Sequence, residues 1–275
     1  MKRLLCILLL CALLPLPIQA EEPTRYVALT FDDGPSGRFT ERLLDGLAER
    51  GVRATFFLCG YRIDQYPSLT ARIAAEGHEI GTHGDRHDFF TQLSREGVCA
   101  DLAAASEKIA AATGNEPTLL RPPGGLFDTE VLRQTVCAGL PIVLWSVDPE
   151  DWRCSDSDAV TRRIVGAATD GDIILMHDMS DSSVDAALRV IDTLQNENFA
   201  FVTVSELAAL TGTELRGGET YYRFSFEKNA SIASREAQTD PCTKSGFPPP
   251  RPFNEKFSRF AVSRRSPAVP NRTYR

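Results

Sequence analysis

Histidine is scarce in this chain, with four in 275 residues. Cys-x-x-Cys does not occur, so a zinc site of paired thiolates has no support. No Gly-x-Gly-x-x-Gly follows the first strand-like run, which leaves a dinucleotide fold without its phosphate-binding turn. No repeat of short period is visible. The longest apolar run, Leu4 to Leu14, is too short to read as a membrane span. Positive charge is lacking over most of the chain. Glu21–Glu227 carries 18 basic and 34 acidic side chains, a net of −16, which argues against nucleic acid as a partner.

The two ends differ from this body. Lys2-Arg3, the apolar run and Pro-Leu-Pro-Ile-Gln-Ala read as an export signal (residues 1–20) cut after Ala20. No stable membrane span then remains; an uncleaved anchor is the alternative. A lipid anchor at Cys11 is disfavoured by Leu10 before it. The expected location is periplasmic, cell-wall associated or extracellular. Of the seven cysteines, Cys59, Cys99, Cys137, Cys154 and Cys242 remain after cleavage. The odd number leaves at least one unpaired or bonded outside the chain, allows up to two disulfides and does not reveal the pairing. Residues 228–275 carry 10 basic and 3 acidic side chains, a net of +7, and include Phe-Pro-Pro-Pro-Arg-Pro. That composition predicts a disordered tail. It is either attracted to an anionic cell-surface polymer or simply solvated.

Between the ends, 21–227 reads as one domain, since 43% hydrophobic residues overall are ample for one core. Strand-like runs at Tyr26–Leu29, Ala54–Leu58, His78–Thr82, Thr118–Leu120, Ile142–Trp145, Asp172–Met176 and Phe199–Val204 alternate with helical patterns. The helices are expected over Phe39–Arg50, Tyr66–Glu76, Ser94–Thr113, Asp128–Ala138, Asp158–Ala168 and Val184–Asn196. A last one, Glu206–Leu210, is expected behind a Ser205 cap. Strand–helix alternation with continuously apolar strands predicts an α/β fold: a barrel or barrel-like sheet of about seven parallel strands with outer helices. Chemistry in such folds sits at the carboxyl ends of the strands.

Those ends carry the unusual residues. Thr30-Phe-Asp-Asp-Gly-Pro35 closes the first strand. Asp32 and Asp33 would point to opposite faces if the strand continued. At a bend both can reach one site, and two close carboxylates imply a cation or divided roles. Ordinary Asp-Gly turn chemistry is the alternative. His83 and His87 share one face if a helical turn begins at His83. With Asp33 they form a three-ligand set with open positions, the pattern of catalytic zinc. Arg121 precedes two prolines, and its guanidinium is placed to pair with a site carboxylate, unless it is a surface arginine. Asp151 and Trp152 follow the fifth strand, where an acid can orient a histidine and a ring can wall a pocket. His177 ends the sixth strand behind Leu175-Met176. His78 reads as structural.

Together these motifs resemble the polysaccharide deacetylase family of carbohydrate esterases, with its NodB-type homology domain, over roughly Tyr26 to Leu210. The resemblance implies a distorted (β/α) barrel and a metal-dependent N-deacetylase. Asp32 is then the catalytic base, with Asp33, His83 and His87 as metal ligands. Arg121 steadies Asp32, Asp151 tunes His177, and His177 is the general acid. Gly124, Trp152 and Leu175 are placed at the substrate. One divalent ion is implied, zinc first, with cobalt, manganese or nickel as alternatives. The implied substrate is an N-acetylated glycan, peptidoglycan or chitin-like. A hydrolase of small cyclic amides or ureides and an inactive glycan-binding module are the rival readings. Two positions depart from the family pattern. Gly84 stands where Ser or Thr is frequent, and Gly124 where an aromatic residue is frequent.

Overall fold

The first strand is the hub of the fold. In the computed structural model, which describes residues 25–126, 130–131 and 135–226, β1 (Arg25–Asp32) buries its last six residues. It pairs in parallel with β2 (Thr55–Leu58), β5 (Ile173–His177) and β6 (Phe199–Phe201). Next to β2 lies β3 (Glu79–Thr82), also parallel. Single bridges continue the circuit: Thr82 to Leu120, Leu120 to Ile142 of β4 (Ile142–Val143), and Val147 to Ile174 of β5. The parallel circuit therefore returns to its start as a distorted barrel. Its weak side is the expected fourth strand, Thr118–Leu120, which contributes only two isolated bridges, both at Leu120. A further strand, β7 (Thr220–Tyr221), pairs with β4 and has no counterpart in the apolar pattern.

Side-chain alternation sorts β1 between two environments. Val27, Leu29 and Phe31 join the large core under the helices, whereas Ala28 joins a second cluster with Phe57, Leu119, Val143 and Ile173. Thr30 and Asp32 share the Ala28 side and point into the barrel. In register, Asp32 stands beside Phe57 of β2 and His177 of β5, so three strand ends are level at one mouth.

The α-helices with described bounds surround this ring. α1 (Arg38–Glu49) buries Leu43, Leu44 and Leu47 completely, each worth about 1.5–3 kcal/mol relative to exposure. α2 (Gly60–Gln65) is a turn the sequence pattern does not announce, and α3 (Pro67–Ala75) starts behind it with Pro67 at its first position. α4 (Arg95–Thr113) is capped by Ser94, α5 (Ser157–Ala167) by Asp156 and α6 (Asp181–Asn196) by Ser180. α7 (Val204–Leu210) is capped by Thr203 rather than Ser205. Thr203 Oγ1 accepts from the Glu206 amide at 3.2 Å while the Glu206 carboxylate accepts from the Thr203 amide at 2.9 Å. This reciprocal pair outcompetes a lone serine, and Ser205 instead donates to Glu79. Of the expected helix Asp128–Ala138, the described part ends in a 3-10 turn at Val136–Ala138. Glu130, Val131 and Thr135 are helical, while residues 128–129 and 132–134, the export signal, the tail and Cys242 lie outside the described residues. Cys99 and Cys137 form a disulfide, while Cys59 and Cys154 are free. No helix among the described residues is long and apolar enough to cross a membrane.

Candidate active site

The barrel mouth is assembled around Asp32 and Asp33. Asp33 takes φ 70°, a left-handed conformation that breaks the strand alternation. The bend turns its carboxylate toward the same histidine that Asp32 faces. His83 Nε2 lies 3.4 Å from Asp33 Oδ1 and 3.8 Å from Asp32 Oδ2, and His87 Nε2 lies 3.1 Å from Asp33 Oδ1. Glycine at position 34 follows from a close approach: a Cβ there would meet Asp178 Oδ1 at 2.8 Å. Asp178 is wholly buried, and its other oxygen accepts from the Thr40 hydroxyl. Burial lifts the Asp178 carboxyl to about 6 despite that bond. No spacing in the sequence marks this residue.

The His83–His87 segment is not helical, contrary to the helical-turn expectation. Gly84 at φ 78° and His87 at φ 61° reverse the chain twice between the rings. The loop places the rings 5.2 Å apart, edge to face. His83 Nδ1 bonds the Arg121 carbonyl oxygen at 2.7 Å. A carbonyl only accepts, so Nδ1 donates there, and Nε2 is the ring nitrogen turned toward Asp33. Asp33 Oδ1 is buried and makes no hydrogen bond of proper geometry. Two imidazole nitrogens and one carboxylate oxygen within 4.8 Å of one another, with an orphaned oxygen among them, fit a divalent cation. Burial alone would raise the Asp33 carboxyl. The two neighbouring imidazoles outweigh it and hold the group well below the usual carboxylate range.

Arg121 is fully buried, not a surface arginine. Its Nη1 donates to Asp32 Oδ1 at 2.7 Å and to Thr30 Oγ1 at 2.8 Å. Nε and Nη2 donate to the Val143 and Leu144 carbonyls, both at 2.9 Å. The guanidinium also lies 4.0 Å over the Phe57 ring. Burial lowers its proton affinity, and Asp32 opposes that. Such a set of donors leaves the Asp32 carboxylate one orientation, with Oδ2 toward His83. Thr30, two residues before Asp32 on the same inward face, completes this clamp and was not singled out by the motif.

The remaining pair sits across the mouth. His177 Nδ1 bonds Asp151 Oδ1 at 2.8 Å, and the His177 amide donates to Asp151 Oδ2 at 2.9 Å. Asp151 is only 2% exposed. Burial works to lower the His177 proton affinity, but the Asp151 bond and charge, with Asp32 and Asp33 behind, raise it to about 9. His177 stands in register with Asp32, with its Nδ1 edge committed to Asp151. Leu175 lies one inward step below His177 and is buried. Trp152 is 60% exposed next to Asp151. Gly124, at φ 67°, lies against Phe89, whose ring packs 6.2 Å from that of His87. The structure thus gathers Asp32, Asp33, His83, His87, Arg121 and, through register, His177 with Asp151. It gives Trp152 and Gly124 no direct bond to that group.

Comparison with known proteins gives the family of the chain. The polysaccharide deacetylase family model matches residues 19–143. The peptidoglycan-N-acetylglucosamine deacetylase PgdA of Listeria monocytogenes is 37% identical over 196 residues, which are 71% of this chain but 41% of that longer protein. The chain thus spans about two fifths of this relative. A peptidoglycan-N-acetylglucosamine deacetylase of Bacillus cereus is 36% identical over 202 residues, covering 68% of this chain and 94% of that one. Among solved structures, a family 4 acetyl xylan esterase from Clostridium thermocellum, in complex with a cobalt ion, superposes with a TM-score of 0.68 at 29% identity, covering 72% of this chain and 98% of that one. With identity of this level across nearly the whole of a curated relative, the chain belongs to the polysaccharide deacetylase family.

Proposed function

We propose that the protein is an exported metal-dependent deacetylase that removes N-acetyl groups from a glycan, peptidoglycan or a chitin-like oligomer. The observation that carries this reading is the combination at one barrel mouth of a clamped carboxylate, a three-ligand cluster and an acid-backed imidazole. The names of the relatives support a glycan substrate, and the signal-like first 20 residues support export.

Asp33, His83 and His87 would hold the ion, zinc by the donor set, with cobalt, manganese and nickel as other ions the set would take. When bound, it supplies Lewis acidity toward an amide carbonyl and toward water. Asp32 is the base: Arg121 fixes one oxygen, and the other accepts the proton of the attacking water. Arg121 holds that buried carboxylate in place. His177 donates its Nε2 proton to the departing amine, and Asp151 holds the ring in the tautomer and orientation for this. Gly124 offers a backbone N–H to the developing oxyanion, while Trp152 and Leu175 bound the sugar. No acyl-enzyme forms, so no nucleophilic Ser or Cys is needed. Asp32 and His177 are both present, which disfavours the inactive binding module, and export disfavours a small cyclic amide as substrate.

The test is acetate release by the metal-loaded chain from peptidoglycan, chitooligosaccharides and acetylated xylan, with Asp32→Asn as control. Release from at least one N-acetylated glycan that is lost in Asp32→Asn supports the proposal. Release only from the O-acetylated xylan, or none from any glycan, overturns it.

A further inference from the structure

The loop that carries His87 has little regular structure to hold it. Its backbone is gripped from two sides. From α2, the Gly60 and Tyr61 amides donate to the Gly84 and Asp85 carbonyls at 3.0 and 2.9 Å. From α4, Asp101 Oδ2 accepts from the Asp85 amide at 2.7 Å, and Oδ1 accepts from the Arg86 amide at 3.2 Å. Lys108, further along α4, donates to the Asp85 side chain at 2.7 Å. α4 is in turn tied near Asp101 by the Cys99–Cys137 disulfide.

The glycine at position 84 fits this grip. A Cβ there would approach Asp101 Oδ2 to 2.6 Å, and φ 78° strains any L side chain. The space that a residue 84 side chain would fill is therefore used by the Asp101 carboxylate, which reaches it from 17 positions along the chain. One carboxylate accepting two consecutive amides is a charge-assisted clamp with a defined direction. It fixes the backbone immediately before His87, whose own positive φ has no glycine to ease it.

We propose that Asp101 is a positioning residue for the metal centre: by clamping the 85–86 amides it sets the His87 ring against Asp33 and His83. The inference rests on reading those three residues as metal ligands. It is tested on the full chain, stripped of metal and titrated with Co2+ and Zn2+ against a chromophoric chelator, with the Co2+ visible spectrum as a second readout. Asp101→Ala should bind roughly 10- to 100-fold more weakly with an altered Co2+ spectrum, while still unfolding cooperatively. Asp101→Asn keeps one accepting oxygen and should lose less. Activity of Asp101→Ala should recover toward wild type as metal is raised, because no reacting group is removed. A folded Asp101→Ala with wild-type affinity and spectrum, or one that merely unfolds at lower temperature, overturns the proposal. If Asp101→Ala does not fold, Asp101→Asn decides by the same two readouts. Asp33→Ala separates the two levels: if it binds metal as wild type does, the ligand reading itself fails. If it loses metal while Asp101→Ala does not, only the positioning role fails.

Discussion

Asp151→Asn is the sharpest probe of the proton-donor role proposed for His177. In the metal-free chain the His177 imidazole stands at about 9, although burial, the largest influence, works to lower it. Asp151 is the main opposing group. The substitution preserves size and one accepting oxygen but removes the charge 2.8 Å from Nδ1. The His177 value should then fall to roughly 6.5 or below, a change worth about 3 kcal/mol at ~1.36 kcal/mol per unit. At pH 8 about nine in ten wild-type imidazoles carry the proton, against less than about one in twenty in the variant. The alkaline limb of kcat/KM should therefore move acidward by about two units, with at least a tenfold loss at pH 8 that narrows toward pH 5.5. A bound divalent cation lowers both limbs, so the readout is the difference between the two proteins. NMR titration of His177 in metal-free protein gives the same difference directly. Stability follows with a defined sign. A folded value raised above the unfolded 6.5 stabilises fully below pH 6.5, and that contribution is lost as pH rises through about 9. The wild type's advantage in unfolding temperature should shrink across that window. Coincident alkaline limbs, or an equal loss at every pH, would refute the role of Asp151 as the group that keeps His177 protonated.

Arg121→Met should destabilise the fold by about 3–5 kcal/mol, because it strands the buried Asp32 carboxylate; denaturant melts check this, and a loss under about 1 kcal/mol would contradict the clamp. Arg121→Lys should not restore activity, since an ammonium cannot span the two carbonyls, Thr30 and Asp32 together. Reducing the Cys99–Cys137 disulfide, whose cysteines are 38 residues apart, should cost roughly 2–4 kcal/mol. An unchanged melt after verified reduction would show that this crosslink does not constrain the unfolded chain.

Much of this protein is local and so was legible from its sequence. The Tyr26–Leu29 run reads as a strand buried on both faces because period and composition are properties of neighbouring residues. Turn residues such as Gly34-Pro35 and Gly51 mark where elements stop for the same reason. Strand–helix alternation then implies a parallel sheet with its chemistry at one end, and the motif residues fall there. What the sequence left undetermined depends on contacts between distant parts. The His83–His87 spacing suits a helix, yet tertiary bonds from Gly60, Tyr61 and Asp101 hold it as a loop with two positive φ angles. Local pattern favours Ser205 as a cap, whereas folding commits Ser205 to Glu79 and leaves Thr203 to cap α7. The Cys99–Cys137 pairing, the wholly buried Arg121 and the Asp178 carboxyl under Gly34 have no local signature. Periodicity is written along the chain, residue by residue. Which carboxylate meets which amide, and which charge is removed from water, is decided only when strands distant in sequence close the barrel and bring their ends to one mouth.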